Sequence, residues 1–217
     1  MSLAPSAMKA YIAPFGVFMA LLVVAGFLPP SAKYWLYPVQ TVLCGVLVIW
    51  FWSSYGFKAP KMTGFTLIVA ILVLFLWISP QVVLGRPGRF DGFDPSPFRN
   101  RPFLYATVVA LRFMRLVVVV PFIEEIFWRG FLLRYLIKED FESVPPGTFT
   151  WFSFCATTIG FCAEHQVPDM PAALPAGILF NIVIYRTRSL GSCVLAHAAT
   201  NLLLGIYIMR TGQWGFW

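Results

Sequence analysis

"VVVVPFIEEIFWRGFLLRYL", Val117–Leu136, is apolar and long enough to cross a bilayer, yet it contains two adjacent glutamates with an arginine four residues after the second. A membrane-spanning α-helix needs about 20 predominantly apolar residues. A charged side chain near the bilayer centre costs about 2.5–3.5 kcal/mol on insertion scales. Glu124, Glu125 and Arg129 therefore need either compensating partners or a function.

The composition of the whole chain is typical of a membrane protein. Hydrophobic residues make up 59% of the 217 residues and charged residues 12%, whereas about a quarter of the residues of soluble domains are charged. The net charge of +7 comes from arginines and lysines beside the apolar segments, which fits lipid headgroup contacts and argues against nucleic acid as a partner. We predict an all-α, polytopic membrane helical bundle of about seven to eight helices, with residues 1–217 forming one integral membrane domain.

Seven apolar segments are predicted to span the membrane, and an eighth helix is predicted to lie at its interface. The spans are 10–28, 34–57, 65–84, 116–137, 148–164, 172–185 and 190–209. The interfacial helix is predicted at 103–115, because Arg112 and Arg115 lie near its end on one side of the helix. It follows a polar, arginine-rich loop at 85–102. Basic residues are divided almost evenly between the two sides, so the positive-inside rule does not determine the orientation.

The ionisable groups inside these segments form three short motifs. They are Glu124-Glu125 with Arg129, Phe161 with Glu164-His165, and His197 with Asn201. Residues four apart share one helix face, and ionisable groups at membrane depth face protein or water rather than lipid. Because the three motifs lie in the same half of the membrane, we expect them to meet in one cavity.

The residue types in these motifs are those that peptide hydrolysis needs. If Arg129 neutralises Glu125, Glu124 remains unpaired and is a candidate general base, while histidine and asparagine can donate to a developing oxyanion. The motifs contain no serine or cysteine that would serve as a covalent nucleophile, and Cys162 is explained by packing. Each motif also has a structural interpretation. Glu125 and Arg129 could be an ion pair that lets one helix bury both charges, His165 could be a helix cap or an interfacial residue, and the His197–Asn201 pair could form hydrogen bonds across helices.

In this order on three membrane helices, the motifs resemble the CPBP (CAAX protease and bacteriocin-processing) family, which includes the type II CAAX prenyl endopeptidases, also called Rce1-like or Abi-type. The resemblance covers about residues 116–210. It implies an intramembrane endopeptidase, an eight-helix bundle with a cavity open to the cytosol, and a peptide or prenylated protein substrate cleaved near a C-terminal Cys-a-a-X sequence, with membrane lipid as its surroundings. The loop style and short chain favour a multi-pass protein of a bacterial inner (cell) membrane.

The resemblance also implies a role for each motif residue. Glu124 activates water with the help of His165, and His197 and Asn201 donate to the oxyanion. The residues that support the site or hold substrate are Glu125, Arg129, Phe161 and Glu164.

Three alternatives stay open from the sequence. Glu124, His165 and His197 could hold zinc with an open position for water, but the His-Glu-x-x-His arrangement is absent, so we expect no obligatory metal and no cofactor. The chain could instead be a catalytically silent bacteriocin-immunity or scaffold protein, in which Glu124 is replaceable. It could also be a transporter or proton relay, although it shows neither a repeat nor paired broken helices.

Overall fold

The computed structural model describes residues 5–89 and 92–217, and within these ranges it consists of helices, turns and loops without strands. Seven helices build it: α1 Pro5–Gly26, α2 Lys33–Trp50, α3 Thr63–Val82, α4 Pro102–Tyr135, α5 Trp151–Ala163, α6 Met170–Thr187 and α7 Leu190–Thr211. Five 3₁₀ turns lie between or after them, at Pro30–Ala32, Trp52–Ser54, Ser96–Phe98, Phe141–Ser143 and Trp214–Phe216. The predicted all-α bundle is confirmed.

Six of these helices are long and apolar enough to cross a membrane, which indicates an integral, multi-pass membrane protein. The prediction of seven spans is wrong, because α5 has only 13 residues and would extend about 20 Å. Its start is fixed by Thr150, whose side chain accepts a hydrogen bond from the Ser153 amide at 3.2 Å. It ends at Ala163, directly before the polar pair Glu164-His165.

Helix α4 is continuous, although the sequence predicts an interfacial helix and a separate span in this region. No glycine or proline separates the two predicted pieces, so nothing ends the helix at their junction. Arg112 and Arg115 are 6% and 7% exposed, so they are buried in the protein and do not mark a membrane interface. The helix is interrupted instead by two π turns, Met114–Val119 and Ile126–Leu132, which flank the α-helical segment Val120–Glu125. Such π turns frequently occur at functional sites.

Helix α4 runs through the middle of the bundle. Its segments contact α1, α2 and α7, while α3 packs on α6 and α7, and α5 packs on α6. The first core cluster joins Ile123 and Ile126 of α4, both fully buried, to Tyr11 and Phe18 of α1. Glu124 and Glu125 lie between these apolar positions and therefore inside the bundle.

The arginine-rich loop at 85–102 packs against other parts of the chain. Lys33 donates to the Gly92 carbonyl at 2.7 Å, and the Tyr34 hydroxyl donates to the Asp94 carbonyl at 2.8 Å. The Arg89 side chain forms an ion pair with Asp169 at 3.0 Å. The loop thus joins the start of α2 to the start of α6. The prediction for this loop includes residues 90 and 91, which lie outside the described residues.

Candidate active site

A buried ion pair forms the base of the site. Arg129 donates from Nη1 to Glu125 Oε1 at 3.1 Å, from Nε to Asn181 Oδ1 at 3.0 Å and from Nη2 to the Gly177 carbonyl at 3.2 Å. Both charged side chains are fully buried. A buried ion pair is tolerated when its remaining donors and acceptors are also satisfied. Here each nitrogen of the guanidinium has an acceptor, whereas Glu125 Oε2 is buried without a hydrogen-bond partner. The pair follows the i,i+4 spacing of the sequence motif.

Asn181 is part of this network although no sequence motif contains it. Its Nδ2 donates to Thr157 Oγ1 at 3.1 Å and to Thr158 Oγ1 at 3.0 Å, so its amide connects α6 with α5 and, through Arg129, with α4. The signal in the sequence is a single amide in an otherwise apolar span. The contacts of Asn181 depend on how α4, α5 and α6 pack together, and the periodicity of the sequence does not predict that packing.

His197 lies between the Glu125–Arg129 ion pair and Glu124. Its Nδ1 lies 2.9 Å from Glu125 Oε1, and its ring stacks on Phe180 at 4.9 Å between centroids. An ionised carboxylate only accepts hydrogen bonds, so we assign the hydrogen to Nδ1. Nε2 lies 3.9 Å from Glu124 Oε2. This nitrogen can accept a proton when the ring is neutral and donate one when the ring is protonated.

Glu124 is the glutamate that the arginine pair leaves without a partner. Its side chain is 6% exposed and its Oε2 has no hydrogen-bond partner. Within the described part of the chain, no arginine or lysine lies within ion-pair distance of it. A buried acceptor without a donor is costly, so this oxygen has a strong tendency to bind water or another donor.

The second motif places a histidine and a third carboxylate beside the cavity. His165 Nδ1 lies 2.8 Å from the Phe161 carbonyl; because a carbonyl only accepts, Nδ1 donates and a neutral ring keeps a lone pair on Nε2. Both oxygens of Glu164 accept from Trp128 Nε1 at 3.1 Å. Trp128 is a site residue that the motifs do not reveal, because an aromatic residue in an apolar helix has no distinctive pattern.

Asn201 makes its hydrogen bond to the backbone of α4 rather than to His197. Its Nδ2 donates to the Leu116 carbonyl at 2.9 Å. In the π turn the Val120 amide bonds the Arg115 carbonyl, five residues back. The next bond of this series would need the amide hydrogen of Pro121, which proline lacks. Asn201 supplies the missing donor, and its second amide hydrogen remains available.

This compensation can be tested by unfolding measurements. Asn201→Leu should lower the free energy of unfolding by about 1–3 kcal/mol, because it leaves the partly buried Leu116 carbonyl without its side-chain donor. The loss should shrink when Pro121→Ala restores a backbone amide hydrogen beside that carbonyl. Chemical denaturation of the four proteins of this double-mutant cycle in detergent gives the coupling. Equal losses with and without Pro121→Ala would contradict the compensation.

One cavity of about 210 Å³ is lined by six of the eight motif residues, and Glu125 and Arg129 are not among its lining residues. The polar and charged side chains that line it include Glu124, Glu164, His165, His197, Asn201, Arg89, Arg112 and Arg115. Carboxylates, imidazoles and an amide converge from α4, α7 and the segment that follows α5. This arrangement can accept a proton, donate hydrogen bonds and bind an anion within one enclosed space.

The donor set does not fit a metal ion in this arrangement. Among the described residues, no three histidine, cysteine, aspartate or glutamate side chains lie together as a group that could hold one. Glu124 and His197 approach within 3.9 Å, and Nδ1 of each histidine is held by Glu125 or by the Phe161 carbonyl, which leaves Nε2 free, but His165 does not join them as a third ligand. We therefore derive no reaction step through a metal.

Comparison with known families agrees with the motif analysis. Residues 106–203 match the family model described as type II CAAX prenyl endopeptidase Rce1-like. The match contains all eight motif residues and confirms the predicted resemblance. Neither the curated proteins nor the solved structures yielded a match.

Proposed function

With residues 106–203 matching the Rce1-like family, a family of proteases, we propose that the chain is an intramembrane endopeptidase. It hydrolyses a peptide bond near a membrane-anchored or C-terminal, CAAX-like segment of a peptide or prenylated protein. The enzyme itself is surrounded by membrane lipid. The observation that carries this proposal is the unpartnered Glu124 oxygen in a cavity shared with two histidines. A bacterial inner membrane is the proposed location.

Glu124 is the proposed general base. Its carboxylate takes a proton from a water molecule while the water oxygen forms a bond to the scissile carbonyl carbon. The lone pair on Nε2 of a neutral His165 can accept the second hydrogen of this water and orient it. Enclosure within the bundle supports this step, because a base is more effective where bulk water does not compete with its target.

The negative charge that develops on the carbonyl oxygen needs donors. We assign this role to protonated His197, through Nε2, and to the second amide hydrogen of Asn201. The hydrogen bond from His197 Nδ1 to Glu125 holds the ring with Nε2 3.9 Å from Glu124 Oε2, and Arg129 keeps Glu125 in place. Collapse of the tetrahedral intermediate breaks the carbon–nitrogen bond, and the proton held by Glu124 passes to the leaving amine.

The reaction is proposed to need no obligatory metal. The alternative is zinc held by Glu124, His165 and His197, which would require these three side chains to come closer together than they lie here. Zinc would then supply Lewis-acid activation of water. Glu164, Trp128 and Phe161 line or border the same space and are proposed to support the site or hold substrate.

Cleavage of a mixed peptide library tests the function. Prenylated and unprenylated peptides with Cys-a-a-X ends are incubated with detergent-purified protein, and mass spectrometry identifies the products. We expect cleavage after or near the cysteine. Whether the prenylated or the unprenylated peptides are cleaved more rapidly defines the substrate class.

Two further arms separate the alternatives. Cleavage that persists after chelation of metals supports water activation by glutamate, whereas cleavage that is lost and returns with added zinc favours the metal alternative. Absence of products throughout the library would favour the catalytically silent immunity or scaffold protein.

A further inference from the structure

Four arginines of the described chain are buried, and two of them have neither a carboxylate nor a backbone carbonyl as a partner within its described residues. Arg129 pairs with Glu125, and Arg134 donates to three backbone carbonyls. Arg112 and Arg115 line the cavity, and no carboxylate of the described chain lies within ion-pair distance of either. A buried cation without an anion is unfavourable, so this part of the cavity needs a negative charge.

Arg112 is surrounded by aromatic rings. Its guanidinium lies 5.0 Å from the centroid of Tyr37, 5.2 Å from that of Phe93 and 5.7 Å from that of Trp217. Its Nε and Nη1 are buried without hydrogen-bond partners. Rings stabilise a cation but do not replace an acceptor, so the Arg112 guanidinium remains short of partners.

Arg115 is held in place by a chain of neutral groups. Its Nε donates to Gln40 Oε1 at 3.0 Å, and Gln40 Nε2 donates to the Phe18 carbonyl at 2.8 Å. Its guanidinium also lies 4.4 Å from the centroid of the Tyr37 ring. These contacts orient the side chain without neutralising it. Two fixed positive charges thus share one cavity with Glu124.

We propose that Arg112 and Arg115 bind the C-terminal carboxylate of the peptide whose scissile bond lies at Glu124. This inference rests on the proposed endopeptidase function and names its specificity-determining residues. Guanidinium groups match a carboxylate well because several N–H donors meet its two oxygens. The same cavity holds both ends of the leaving peptide, so the carboxylate sets which bond reaches the base.

The separation along α4 suggests the length of the leaving peptide. Arg115 and Arg112 precede Glu124 by nine and twelve positions, which is about 14 and 18 Å at the α-helical rise. An extended chain covers about 3.3–3.6 Å per residue, and an arginine side chain adds reach of its own. A leaving peptide of about three to five residues fits this distance.

Equilibrium binding tests the carboxylate site without requiring cleavage. The probes are the tripeptide acetyl-Val-Leu-Ala with a free carboxylate and the same peptide with a C-terminal amide, titrated calorimetrically into the protein in dodecyl maltoside. The acid should bind at least about tenfold more tightly than the amide. Arg112→Gln should weaken acid binding about 10- to 100-fold and leave amide binding unchanged, Arg112→Lys should restore part of it, and Arg115→Gln should act in the same direction.

Controls separate this inference from the proposed function. Arg99 is exposed and does not line the cavity, so Arg99→Gln should bind both probes as the unmodified chain does, and thermal unfolding verifies that each variant is folded. Equal binding of acid and amide, or no binding of either, would overturn the carboxylate site even if the library were cleaved. Displacement of the acid by phosphatidylglycerol at comparable concentration would also overturn it, by assigning the arginines to a lipid headgroup.

Discussion

Glu124→Gln should lower the rate of peptide cleavage about 10²- to 10⁴-fold, the contribution expected of a general base. Glutamine has the shape of glutamate but cannot take a proton from water. The folded structure should persist, because Glu124 takes no part in the Arg129 network and its Oε2 has no partner to lose. Single-turnover cleavage of a peptide selected from the library, followed by mass spectrometry, measures the chemical step directly.

A matched control distinguishes loss of a base from loss of a charge. Glu139 is exposed and does not line the cavity, so Glu139→Gln removes one negative charge and should cleave at the original rate. If Glu124→Gln cleaved within about threefold of the unmodified chain, Glu124 would not be the base. A cleavage activity that stays unchanged would also point to another base among His165 and Glu164.

Arg129→Ala should lower the free energy of unfolding by about 3–5 kcal/mol, the cost of removing one partner of a buried ion pair. The substitution leaves the Glu125 charge buried without its cation and removes the donors to Asn181 and Gly177. It also removes the cation that lies 4.7 Å from the Phe161 ring centroid. Denaturant titration in detergent, followed by circular dichroism, provides the comparison.

The double variant Glu125→Gln with Arg129→Met tests whether the unpaired Glu125 charge causes the loss of stability expected for Arg129→Ala. Both charges are then absent, and methionine fills much of the arginine volume, so a large part of the stability should return. Cleavage should stay low, because a neutral amide at position 125 is a weaker acceptor for the His197 ring than the carboxylate that it replaces. If the double variant were as unstable as Arg129→Ala, packing rather than the unpaired charge would account for the loss.

The sequence predicts much of this arrangement because its main signals are local. Apolar length predicts the six candidate spans but also counts α5 as a seventh. The i,i+4 spacing predicts the Glu125–Arg129 pair that the structure contains. The scarcity of ionisable groups at membrane depth predicts that the motifs face the interior, and all of the proposed catalytic side chains line one cavity. Their chemical roles remain predictions that the experiments above test.

Other features could not be predicted, because they depend on contacts between helices or on departures from ideal helical geometry. Asn181 joins the site only because α5, α6 and α4 pack together. Arg112 and Arg115 have the sequence pattern of an interfacial helix and are nevertheless buried. The bond from Asn201 to the Leu116 carbonyl depends on a π turn followed by a proline, a combination that hydrophobic periodicity does not detect.

The π turn at Met114–Val119 has a genetic consequence. In an ideal α-helix, successive residues are rotated by about 100°, so Arg112 and Glu124 would point about 120° apart. A π turn holds one residue more than an α turn and therefore acts as a single-residue insertion, which reduces this angle to about 20°. Deleting one codon from this turn, at a position other than Arg115, would leave Arg112 and Glu124 eleven positions apart on a regular α-helix and would therefore keep the angle between them at about 20°. Alignments of related chains should accordingly allow a one-residue gap in this turn, because the gap preserves the direction of Arg112 relative to Glu124.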